Sequence, residues 1–147
     1  MQKFRFKLQR LLDFRKIREE QAEAEFAKAT RVFLHEKELL HQLETKLADS
    51  FDRLKLEQEK PSSLLTLKLF QDYIDTTREG IKLQAVKVTA AADRRQQCLR
   101  KLEEAARKRK GVESLKEKKL QQYHEEALQE EQAFLDELSG QRYIRNT

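Results

Sequence analysis

The side chains of this chain that could do chemistry are three histidines, one cysteine and many carboxylates. Histidine and cysteine can ligate a metal or serve as base and nucleophile, and paired carboxylates can act as general acid and base. Spacing argues against each. His124-Glu125-Glu126 begins like a helical zinc-protease pattern but has no second histidine four residues after the first. His35 and His41 stand about 240° apart around a helix, poorly placed to share a metal, and read as solvated surface side chains. Cys98 stands alone, which supports neither an internal disulfide nor a metal cluster and fits a reducing compartment. It falls on an apolar helix seam, where a thiol behaves as a small hydrophobe. No G-x-x-x-x-G-K and no Gly-rich loop offers a phosphate cradle. A helical rod has no cleft in which a carboxylate could be desolvated and retuned. The expectation is a non-enzyme with no cofactor, no metal and no small-molecule substrate.

The elements that carry these residues are read from periodicity. Steps of four and three from Leu8 give Leu12, Arg15, Glu19, Ala22, Phe26, Ala29, Phe33, Glu36, Leu40, Leu43, Leu47, Ser50 and Leu54, with no Pro or Gly in between. A two-position stripe kept for that long specifies a helix wound on a partner helix, not the face of a globular core. Glu59-Lys60-Pro61-Ser62-Ser63 breaks the pattern. Pro61 disfavours helix at Lys60, and Ser62 or Ser63 can cap the next helix. A second seam then reads Phe70, Ile74, Thr77, Ile81, Gln84, Val88, Ala91, Arg95, Cys98, Leu102, Ala105, Arg109 and Val112. It resumes at Leu120, Tyr123, Ala127, Phe134 and Leu138 after a stutter through Lys116, beside Gly111. Ser139-Gly140 reads as a helix stop before a short basic tail. The expected fold is all-α, a long antiparallel two-helix coiled-coil hairpin in a single domain over 1–147. Its helices span about 3–59 and 64–139 around a turn at about 60–63.

Folding the helices about Ser62 sets Leu54 opposite Phe70, Ser50 opposite Ile74, Leu43 opposite Ile81, Phe33 opposite Ala91, Phe26 opposite Cys98 and Ala22 opposite Leu102. Large rings then face small side chains, as close packing requires. The same register sets Arg15 against Arg109, unfavourable unless acids intervene, and leaves the second helix overhanging the first beyond about Leu120. That overhang carries Leu120, Tyr123, Leu128, Phe134 and Leu138 and reads as a docking segment for another protein, or else as a frayed or crystal-packed end.

Composition agrees. Charged residues make up 39% of the 147, aromatics 7%, and mean hydropathy is -0.88, a balance of long helices more than of thick cores. The net charge of +5 comes from 31 bases against 26 acids that interleave along most of the chain. Nucleic-acid binding, which needs a concentrated basic footprint, is therefore not favoured. Arg107 to Lys110 reads as a solvated face, or else as a site for an acidic protein. No apolar run approaches the ~20 residues of a membrane span, and Met1 to Leu12 lacks a signal peptide's apolar stretch. A cytosolic protein is expected.

The two ends and the post-turn segment are more specific. Phe4-x-Phe6-x-Leu8-x-x-Leu11-Leu12-x-x-Arg15, then Glu19-Glu20 and the alanine-rich Ala22 to Ala29, resembles the start of the FliJ family of flagellar export proteins. Leu67-x-x-Phe70-Gln71-x-Tyr73-Ile74, continuing to Ile81-x-x-Gln84, is similar to that family's second-helix opening. Glu113-x-Leu115, Tyr123, Glu130-Glu131-Gln132, Leu135-Asp136-Glu137 and Arg142 are similar to its finish.

The resemblance implies a two-helix stalk shaped like the central shaft subunit of rotary ATPases, monomeric when free. It implies binding to the hexameric flagellar export ATPase at the end with the chain termini, and to the large membrane protein of the export gate. Some members act as chaperones or chaperone-escort factors. Carried onto this sequence, the ATPase-facing residues are Phe4, Leu8, Leu11, Leu12, Arg15, Arg18, Tyr123, Phe134, Leu135 and Leu138. The gate-facing residues are Leu47, Phe51, Phe70, Tyr73, Thr77, Gly80 and Gln84, although Thr77 and Gly80 depart from the bulkier or better helix-forming residues expected there. The implied location is the cytoplasmic face of the membrane at the flagellar base. The rivals are the equivalent stalk of a virulence type III secretion system, a purely structural self-associating coiled coil, and a basic helical nucleic-acid binder.

Overall fold

A computed structural model describes residues 2–61 and 63–146. Among them the secondary structure is two helices, α1 (Gln9–Gln58) and α2 (Leu64–Asn146), with no strand. They pack antiparallel in each of two compact units, Gln21–Leu102 around the turn and Met1–Glu20 with Glu103–Thr147 at the chain ends.

In the turn unit, α1 closes with tightened bonds from Glu59 N–H to Leu56 O (3.2 Å) and Lys60 N–H to Glu57 O (3.3 Å), ahead of Pro61. Ser63 opens α2. Its Oγ accepts from Thr66 N–H at 3.1 Å, satisfying a donor that the first helical turn leaves unpaired. The other cap candidate, Ser62, lies outside the described residues.

Seam positions from Ala22 to Leu54 and from Phe70 to Leu102 are buried or half-buried. The most enclosed apolar side chains are Ile74, Cys98 and the alanines Ala22, Ala29 and Ala91. Small side chains let the two backbones approach, and Phe26 and Phe33 lie half-buried beside them. Arg95, a seam interruption in sequence, closes that flank. Its guanidinium lies 5.3 Å from the Phe26 ring and 5.7 Å from the Phe33 ring, while Nε donates to Thr30 Oγ1 at 3.1 Å.

Buried polar groups along this seam are satisfied. Ser50 Oγ donates to Lys46 O and Thr77 Oγ1 to Tyr73 O, each at 2.7 Å within its own helix. Gln84, 7% exposed, donates Nε2 across the interface to Glu36 O at 2.9 Å and to the Glu36 carboxylate. A cross-helix polar pair of this kind fixes register, because any slip strands a buried amide. Glu36–Gln84 and Thr30–Arg95 bracket the expected register about Ser62.

In the terminal unit the structure departs from expectation in three places. Helix α1 begins at Gln9, not near residue 3. Residues 2–8 form an arm that turns into the helix, with Gln9 N–H bonded to Phe6 O at 3.1 Å in place of a polar cap. The arm lies on α2, where Tyr123 Oη donates to Gln2 O at 2.7 Å and the Phe4 and Tyr123 rings stand 5.6 Å apart. Leu120 and Tyr123 are therefore half-covered, and the uncovered stretch starts after Ala127. Finally, α2 runs through Ser139-Gly140 to Asn146. Gly140 keeps a negative φ, so it supplies no left-handed cap, and nothing else there ends the helix. The stutter is visible in burial, which passes through Val112, Lys116 and Leu120 to Tyr123 and Ala127.

Candidate functional site

The possible sites are surfaces. Among the described residues no group of three or more His, Cys, Asp or Glu side chains could hold a metal ion, and no helix is long and apolar enough to cross a membrane. Cys98 is enclosed in the seam, and the His124 ring packs at 5.7 Å from Tyr123.

At the chain ends, the arm and α2 enclose a groove of about 460 Å³. Phe4, Phe6 and Leu8 line one wall, Leu115 and Tyr123 the other, and Arg5, Lys7 and Lys119 also line it. Of the sequence candidates here, Leu12 is buried at 1% exposure, so it anchors the unit and offers a partner nothing. Phe4 and Tyr123 face each other. Leu8 and Leu11 remain exposed, and with them Phe14 and Ile17.

Phe14 and Ile17 escaped the heptad reading because they lie off the seam. Leu11, Phe14 and Ile17 recur every third residue, which was the available signal of a second apolar stripe. Arg15 and Arg18 lie over the Phe14 ring, at 5.8 and 5.1 Å. Half-exposed guanidinium-covered rings of this sort suit a protein surface that alternates between water and a partner.

The expected clash of Arg15 with Arg109 is relieved by acids. Arg109 Nε donates to the Glu19 carboxylate, and its Nη1 to Glu113 Oε2 at 2.5 Å. The Arg109 guanidinium is held above its ordinary pKa chiefly by the bond to Glu19, with partial burial opposing and the Glu113 carboxylate adding to it. A raised arginine pKa keeps the guanidinium charged throughout the neutral range, and the arginine's contribution to this bridge is lost only in strong alkali.

From Leu128 to Asn146 every residue of α2 is exposed. Phe134 is 61% exposed, and Leu128, Leu135 and Leu138 are exposed with it. An isolated helix of this length is marginal in water, so a partner that covers its apolar stripe would also stabilise it.

At the turn, a second groove of about 500 Å³ is lined by Lys46, Asp49, Ser50, Arg53, Thr66, Leu69, Phe70 and Tyr73. Of the gate candidates, Leu47 and Phe70 are half-buried, Phe51 and Tyr73 are exposed, and Arg78 lies 5.1 Å from the Phe51 ring. Thr77 and Gln84 are buried between the helices and present no side chain to a partner. Gly80 is half-buried with open space where a Cβ would stand. Leu64, at 84% exposure, together with Leu56, Leu65 and Leu69, gives the turn an apolar tip. Heptad reading passed over these leucines because they flank the breaker and belong to neither seam.

Both surfaces can bury apolar area against another protein. Searches of curated proteins and of solved structures each return no match. A family model described as Flagellar FliJ protein matches residues 4–147. On that match over essentially the whole length, together with the paired helices, the chain belongs to the FliJ family, non-catalytic components of the flagellar export apparatus.

Proposed function

We propose that this protein is the stalk that engages the hexameric flagellar export ATPase through its chain-end unit and the large membrane protein of the export gate through its turn unit, promoting export and flagellum assembly. The observation that carries the reading is at the chain ends. There, in a member of an export family, Leu8, Leu11, Phe14 and Ile17 of the first strand of chain and Phe134, Leu135 and Leu138 of the second stay exposed on ordered elements. Apolar side chains kept in water on a helix cost free energy that binding recovers.

On this reading the protein is held at the cytoplasmic face of the membrane by its partners, and export chaperones can engage it as further partners. Coupling follows if ATPase and gate each bind one conformational state better than the other, since only differential contacts shift an equilibrium. At the turn, Phe51, Phe70 and Tyr73 with the tip leucines would meet the gate, whereas Thr77 and Gln84 would act by holding the helices in register.

The test is stimulation of the purified export ATPase by Leu8→Asp/Leu11→Asp beside Phe51→Asp/Tyr73→Asp. The first pair should lose stimulation and ATPase capture; the second should keep both and lose capture of the gate protein's cytoplasmic part. All four side chains are exposed, so helix content should not change. Full stimulation by the first pair would remove the chain ends from the interface.

A further inference from the structure

The first turns of α1 keep an uncovered face that the seam does not use. Leu12 and Ala22, both buried, and Glu19, bonded to Arg109, mark the side of α1 that meets α2. At 100° per residue, Leu11, Phe14 and Ile17 with Arg10 and Arg18 fall within an arc of about 120°, centred about 130° away from that side. All five are exposed. No acid shares the arc as far as Gln21, because Asp13 and Glu20 fall on the opposite flank and Glu19 is held in the seam.

The bases are arranged around the ring at the centre of this face. Arg18 lies 5.1 Å and Arg15 5.8 Å from the Phe14 ring. Their stems can run along apolar surface while the guanidinium groups stand at its rim. Just ahead of the helix, the arm adds the exposed Arg5 and Lys7.

We propose that this face of α1 rests on the surface of an anionic lipid bilayer. Leu11, Phe14 and Ile17 sit at the level of the headgroups, and Arg10 and Arg18 meet lipid phosphates. An apolar row edged by Lys and Arg is the composition of a helix that lies in the plane of a membrane interface. The face is convex, stands on one helix and carries charge of a single sign, so mobile anionic headgroups match it without a preformed acidic groove. The carboxylates of α2 beyond Leu120 oppose this little. α2 packs on the side of α1 turned away from the face, and that sets it back from the lipid by on the order of 5–10 Å, comparable with the Debye length at physiological salt. Leu11, Phe14 and Ile17 also belong to the ATPase reading, so lipid and ATPase exclude each other at this face. The lipid contact itself does not depend on that reading.

Co-sedimentation of the full chain with vesicles, with no ATPase present, tests the proposal. Phosphatidylcholine vesicles carrying about one-third phosphatidylglycerol should bind the chain about tenfold or more tighter than phosphatidylcholine alone, and added salt should weaken that binding. Arg10→Glu/Arg18→Glu should lose about tenfold or more. Lys87→Glu/Lys101→Glu, the same change of charge on the turn unit, should stay within about twofold of the wild type. The chain has no Trp, so a single one reports its own surroundings. Emission of Phe14→Trp should shift to the blue on the anionic vesicles, whereas that of Val86→Trp, exposed in the turn unit, should not. Every substituted side chain is exposed, and circular dichroism should show helix content unchanged. Absence of binding, or binding indifferent to lipid charge, overturns the proposal. So does an Arg10→Glu/Arg18→Glu variant that binds like the control, or a Phe14→Trp emission that does not move. Capture by polyglutamate without vesicle binding overturns it in favour of an acidic protein.

Discussion

The turn unit and the terminal unit use the same two helices in opposite ways. Around the turn, alanines, Cys98 and Ile74 fill the seam, Gln84 locks to Glu36, and Arg95 closes the flank over Phe26 and Phe33. At the chain ends, Leu12 is the one fully enclosed side chain among the described residues, an Arg109–Glu19 bridge takes the next seam place, and α2 continues uncovered. Small side chains and matched polar groups make an interface that is complete in itself. An ion pair beside exposed leucines and rings makes one that still has area to bury. The difference is one of completeness, a seam closed along its length in the turn unit and apolar area left exposed in the terminal unit.

Removing apolar volume at the two most enclosed aliphatic positions breaks the comparison most directly. Ile74→Ala and Leu12→Ala should each cost about 2–5 kcal/mol, read from chemical denaturation followed by circular dichroism. Ile74→Ala should lower the main transition, whereas Leu12→Ala should loosen the arm and the start of α1 first, seen as faster amide exchange there. Equal loss of protection throughout the chain for both variants would show that the two units do not differ in this way.

A smaller effect comes from the register lock. Gln84→Ala removes the amide that ties α2 to the Glu36 carboxylate and should cost about 1.5–3 kcal/mol, as for other hydrogen bonds to a charged group. Gln84→Leu should recover part of that stability while letting the helices slip. Paired cysteines placed at neighbouring seam positions would then crosslink in more than one register. A single register in the leucine variant would show that the alanines alone set the alignment.

The least effect is a gain. Gly111 lies inside α2 with a helical backbone, and a Cβ there meets nothing within 4 Å. Gly111→Ala should therefore stabilise the terminal unit by about 0.5–1 kcal/mol through helix propensity alone. A loss instead would mean that the glycine serves flexibility at the stutter, and the terminal unit would differ from the turn unit in compliance as well as packing.

Much of this was legible before any coordinates. Heptad spacing named the buried face of both helices, because a period near 3.5 specifies a helix wound on a partner, and α2 keeps that period through Gly80 and Gly111. The shift through Lys116 and Ser63, one of the two cap candidates beyond Pro61, were local signals, and burial and hydrogen bonding follow them. The candidate surfaces were less legible. Leu12, Thr77 and Gln84 look like binding residues when matched to a family pattern, yet they are inside. Phe14, Ile17 and the tip leucines sit off the seam and outside.

By itself, then, the sequence determined two helices, their breaker and an antiparallel register, since these follow from periodicity and short-range chemistry. Tertiary structure decided what periodicity cannot encode. It folded the Phe4 arm onto Tyr123 instead of extending α1, set the charged seam residue Arg95 over two rings, and gave Arg109 to Glu19. It also carried α2 through Gly140. Each of these depends on contacts between residues far apart in the chain or on the absence of a left-handed cap, and neither leaves a repeat in the sequence.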